Sequence, residues 1–131
     1  MHGSKTPVAN HLVRRKQFEV SEKERRVALL RAMISDFDNM ISDLDEQIAD
    51  EENHTRIKDA GHPAYSTLAK AAAKRRQNLL TSVVHMKSLL EVASRELDEV
   101  AMQFRDLESM QNREPPPAPP GSTPKTISAA R

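Results

Sequence analysis

Cysteine is absent from this chain, which excludes a disulfide framework, a zinc–thiolate site and a thiol nucleophile. That absence fits a reducing compartment. Aromatic residues make up only 3 % of the sequence, so basic segments have no stacking platform beside them. Glycine is scarce outside one loop and the ends, leaving little to interrupt a helix. There is no Gly-rich phosphate loop and no nucleophile motif. No apolar run is long enough for a transmembrane helix, and the N-terminus lacks a signal-peptide core. These absences lead us to expect a cytoplasmic protein that inserts in no membrane, binds no cofactor and is not an enzyme.

What is present is charge, 30 % of residues, and a heptad repeat run twice. In the first segment Val13, Val20, Val27, Leu30, Ile34, Phe37, Ile41, Leu44 and Ile48 recur three and four apart. In the second the series is Ala72, Leu79, Val83, Met86, Leu90, Ala93, Leu97, Val100, Phe104 and Leu107. This is the a/d seam of a coiled coil. Folding the chain back at Ala60-Gly61 pairs Val27 with Ala93, Leu30 with Leu90, Ile34 with Met86 and Ile41 with Leu79. In each pair the residue numbers sum to 120, and an a position meets a d position. The expected fold is all-α: a long antiparallel two-helix coiled-coil hairpin. Its seam from Val13 to Ile48 is about 54 Å long at 1.5 Å per residue.

The expected organisation is a disordered start over 1–7 and a hairpin over 8–111, then a disordered Pro-rich tail over 112–131. Helix 1 is expected over about 8–57, the loop over 58–63 and helix 2 over 64–111. Thr6 suits an N-cap ahead of Pro7. Gly61 suits a left-handed C-cap, and Pro63 cannot continue the first helix. Residues 114–131 hold six of the eight prolines, which suits an extended polyproline tail. Such a tail is a ligand type for small recognition domains, or simply a disordered end.

Net charge is only +1, but it is laid out in blocks. Arg14 to Arg31 carries seven basic and three acidic residues, whereas Asp36 to Glu52 carries eight acidic residues and no basic ones. Lys70, Lys74, Arg75 and Arg76 form a basic cluster, and Glu91 to Glu108 is mainly acidic. The antiparallel register sets each block beside one of opposite sign. By residue, Arg26 is expected to face Glu96, while Arg31 meets Lys87.

Three seam layers carry a flaw: Lys16 faces Phe104, Lys23 faces Leu97 and Leu44 faces Arg76. Long basic side chains can lie along the seam and reach out to water. The alternative is an open end loosened to admit a partner. Phe18, Leu29, Val84, Val92 and Met102 fall at outward positions, while Met33, Met40, Leu80 and Leu89 widen the seam. Phe18 and Leu29, within the basic block, are the better docking candidates. His54 and His62 near Glu51 and Glu52 are the only residues with metal-site character, but solvated loop histidines are the preferred reading and no metal site is expected. Arg14, Arg15, Lys16, Arg25 and Arg26 are the only candidate phosphate stripe. The nearly balanced charge argues against nucleic acid as a partner.

Three stretches are similar to the flagellar export protein FliJ family. They are Phe18-Glu19-Val20-Ser21-Glu22-Lys23 with Arg25-Arg26-Val27, the loop residues Asp59, His62 and Ala64-Tyr65, and Ala69-Lys70-Ala71-Ala72 with Arg75-Arg76 and Asn78-Leu79. The resemblance covers roughly Leu12 to Glu108, and the Pro-rich tail departs from it. The resemblance implies a non-enzymatic, stalk-like component of the flagellar type III export apparatus. It implies binding to the hexameric export ATPase and to the cytoplasmic part of the export gate, with export chaperones as further partners. It places the protein in the cytoplasm, peripheral to the basal body at the inner membrane. By this analogy the helix ends, Val13 to Arg31 and Arg95 to Leu107, enter the ATPase ring. The expected contact residues are then Phe18, Lys23, Arg25, Arg26 and Leu29, with Tyr65, Lys70, Arg75, Arg76 and Asn78 as a second surface. The rival readings are a generic coiled-coil scaffold or chaperone and, from another class, a basic nucleic-acid-binding hairpin.

Overall fold

The computed structural model describes residues 7–112. Two helices make up nearly all of that span: α1, Pro7–Thr55, and α2, Thr67–Asn112. They pack against each other as an antiparallel hairpin, as the two heptad series require. The Thr6 cap, most of the expected disordered start and the Pro-rich stretch lie outside the described residues.

The seam is buried in the middle of the hairpin. Val27, Leu30 and Ala93 form one buried cluster, with Leu89, Leu90 and Leu97 packed against it. Ile34, Ile41, Val83 and Met86 form a second, joined by Phe37, Leu79, Leu80 and Leu90. These are the partners expected from the register. Polar pairs across the helices keep the same register: Asn10 with Gln111, Lys16 with Gln103, Lys23 with Glu96 and Asp45 with Arg76. Each of those number pairs sums to within one of 120. Each well-buried side chain contributes about 1.5–3 kcal/mol.

Both inner ends differ from the expected bounds by two or three residues, and the loop chemistry explains why. The first helix ends at Thr55 because Arg56 turns into the left-handed region, with φ 63°, while its N–H still bonds Glu52 O at 2.8 Å. The expected left-handed Gly61 is not found: among the described residues no glycine has positive φ. Gly61 instead donates its N–H to Asp59 Oδ1 at 2.9 Å in an Asx turn. The chain then makes two further local turns, His62 N–H to Asp59 O and Tyr65 N–H to His62 O. The second helix starts only at Thr67 because Ser66 is its N-cap, its Oγ accepting from Ala69 N–H at 3.2 Å. At the other end α2 runs one residue past the expected limit, to Asn112.

Candidate functional site

No chamber is enclosed by two helices, so any site is a surface. Burial along the seam is uneven. Among the described residues of α1, none before Val27 is buried. Beyond Ala93, none on α2 is. Val13, Val20, Val100, Phe104 and Leu107 are only half-buried at this open end. The two lysines in the seam cause this, since a long amine cannot fill an apolar layer. Lys16 Nζ donates to Gln103 Oε1 at 2.9 Å and lies 2.6 Å from Glu19. Lys23 Nζ reaches Glu96 at 3.3 Å. It takes the partner expected for Arg26, because its d position lies nearer the opposite helix. Arg76 likewise turns from the Leu44 layer to Asp45.

The open end presents the first candidate surface. Phe18 is 63 % exposed and Leu29 59 % exposed. A hollow of about 540 Å³ is lined by His11, Leu12, Arg14, Arg15, Lys16, Phe18, Glu19 and Leu107. A second, of about 360 Å³, is lined by Glu22, Lys23, Arg25, Arg26 and Leu29. The two lie along one helix, about three turns from Phe18 to Leu29. Together they form an apolar pair set in a collar of positive charge. Some of that charge is already committed, since Arg25 pairs with Glu22. The Lys16 ammonium, through its hydrogen bond first and its charge second, holds the Glu19 carboxyl below its ordinary value.

The loop-side residues do not make one surface. Lys70, Arg75 and Asn78 are exposed, and Arg76 is engaged by Asp45. Tyr65 faces inward: it is 8 % exposed, and its phenol donates to Glu52 Oε2 at 2.6 Å. That hydrogen bond to a carboxylate raises the phenol above its usual range, with burial adding to the effect.

Sequence reasoning missed the companion bond. Ser66 Oγ donates to Glu51 Oε1 at 2.8 Å, so two adjacent hydroxyls latch onto two adjacent carboxylates at the end of α1. The residue type of Ser66 ahead of Thr67-Leu68-Ala69 signals a cap. Nothing in the spacing announces its carboxylate partner. Glu51 and Glu52 are thereby engaged, and His62 Nδ1 accepts the Ala64 N–H at 2.9 Å. Among the described residues no group of three or more His, Asp or Glu is placed to hold a metal ion.

Comparison with family models, curated proteins and solved structures finds no match. Among the described residues, no helix is long and apolar enough to cross a membrane. The described hairpin is a rod with a half-buried open end and exposed apolar residues on its flanks.

Proposed function

We propose that this protein is a stalk-like adaptor of flagellar type III export, binding the export ATPase ring through its open end. The observation that carries the reading is the gradient of burial. Every buried seam residue lies between Val27 and Ala93, interspersed with half-buried Phe37, Leu44, Ile48, Leu79 and Leu90. None is buried towards the open end, where Phe18 stands exposed near Arg14 and Arg15, with Leu29 exposed beside Arg25 and Arg26 at its inner edge. A rod with one loosened, apolar and basic end is suited to insertion into a ring lined by a partner's helices. Binding there would bury Phe18 and Leu29 and stabilise the half-packed layers by mass action. The resemblance of Phe18 to Val27, and of Lys70 to Leu79, to the flagellar export family supplies the partner's identity. The export gate and the export chaperones follow as further partners, and a peripheral position at the inner membrane as the location. The exposed Lys70, Arg75 and Asn78 are the candidate second contact.

The test is hydrolysis and oligomer size of the cognate export ATPase with and without this protein. The expected result is greater ring formation and hydrolysis, reduced when Phe18 and Leu29 are both changed to Ala. No effect at saturating concentration would overturn the reading in favour of a coiled-coil scaffold or chaperone unconnected with that ATPase.

A further inference from the structure

One flank of the hairpin carries an apolar strip that the two helices do not cover. On α1, Leu29 and Met33 are four residues apart and Met40 seven further on, which places them on one face. All three are exposed. On α2, Leu89 packs on the Val27–Leu30–Ala93 cluster and stays half-buried, and Val92, three residues on, is exposed. Leu29 lies in a hollow with Lys23, and Val92 in a hollow with Glu96. The Lys23–Glu96 bridge at 3.3 Å joins the two hollows across the seam. They therefore lie side by side on the same flank.

Charge selects the occupant. The α1 hollow sets Lys23, Arg25 and Arg26 against Glu22 alone. The α2 hollow sets Glu96, Asp98 and Glu99 against Arg95 alone. A two-fold axis along the hairpin lays α1 of one chain on α2 of another, so each basic hollow faces an acidic one. Nearer the loop, the same operation lays the acidic block from Asp36 to Glu52 over the basic cluster from Lys70 to Arg76. The flank is thus complementary to itself, as an isologous interface must be. Half the length of α1 by two helix diameters is about 700 Å². A stable interface takes roughly 800 Å² per partner.

We propose that this flank docks a second copy of the same chain, loop beside loop, to give a four-helix bundle centred on Leu29, Met33, Leu89 and Val92. Leu29 is shared with the contact suggested for the ATPase, but Leu89 and Val92 lie outside it, so the Val92 variants separate self-association from that function.

Sedimentation of the full chain from about 1 to about 200 µM tests it, a range covering ordinary weak self-association. The mass is expected to climb from 14.7 kDa towards twice that value in dilute salt. At about 0.5 M salt, where exposed charges are screened, the rise is expected to shift to higher concentration. Leu29→Glu sets an acid against an acidic hollow and should weaken association roughly tenfold or more, whereas Leu29→Lys should not. Val92→Lys should weaken it and Val92→Glu should not. Val84→Glu, about 140° round α2 from Leu89, should leave it unchanged. Circular dichroism checks that each variant keeps its helix. A monomer throughout the range overturns the proposal. So does a dimer indifferent to the sign of charge at positions 29 and 92, the behaviour expected if chains instead exchange helices.

Discussion

Ile34 and Phe18 are both large apolar residues of α1, yet their environments are opposite. Ile34 is 8 % exposed between Met86 and Val83, while Phe18 stands in solvent. Ile34→Ala removes buried methyl groups and leaves a gap in a seam that has no second layer to collapse into. We expect a loss of about 2–4 kcal/mol, measured by urea unfolding followed by circular dichroism. Phe18→Ala should stay within about 0.5 kcal/mol, because it removes nothing the fold uses. Equal losses at the two positions would refute the placing of Ile34 in the seam and Phe18 on the surface. The loop offers a residue-scale test by pH. Tyr65 is the only tyrosine and there is no tryptophan, so phenolate absorbance reports it alone. Its bond to Glu52 holds the folded value above that of a free phenol. The stability it contributes is therefore complete below the ordinary phenol value, about 10, and lost as pH rises through the folded value. Glu52→Gln removes the charge and should return the titration towards the free value. An unchanged titration would mean that the hydroxyl is not bonded to that carboxylate.

At the scale of the element, the helix ends decide where the hairpin turns. The heptad series made both helices and their pairing legible, because every buried residue from Val27 to Ile41 and from Ala72 to Ala93 belongs to it. The boundaries were not legible, because they depend on bonds that periodicity does not encode. Gly61 has the residue type of a left-handed cap, but Arg56 holds that conformation. The deciding contacts are those of Asp59, His62 and Ser66 with nearby backbone groups. The same reason hid the latch, since Tyr65 and Ser66 meet Glu51 and Glu52 only after the turn is made. It also hid the burial of Tyr65, one of the expected contact residues. Two substitutions separate these cap assignments by thermal unfolding. Gly61→Ala should be tolerated within about 0.5 kcal/mol, because the added methyl meets only Asp59 Oδ1, at 3.4 Å. Ser66→Ala should cost about 1 kcal/mol through the lost cap. The reverse order would return the cap to Gly61.

Over residues 7–112 the molecule is a rod whose buried clusters lie in its middle and whose openings lie at one end and along one flank. Substitutions at the open end should therefore leave the hairpin folded, since the clusters between Val27 and Ala93 hold the two helices together. The decisive whole-chain prediction concerns register, because both the open-end surface and the self-complementary flank depend on it. A shift of one heptad would move each basic block about 10 Å along its partner and still satisfy the apolar pattern. The absence of native cysteine makes the test clean. Ile41→Cys with Leu79→Cys places two thiols in one layer of the second cluster. They should oxidise readily and raise stability by about 2–4 kcal/mol, as closure of a long loop implies. Ile41→Cys with Met86→Cys should stay reduced, because the two positions are a heptad apart along the rod. Comparing intact mass after oxidation with and without reductant reads both outcomes. Closure of the second pair in preference to the first would displace the register, and with it the pairing of Lys23 with Glu96 on which the flank's symmetry rests.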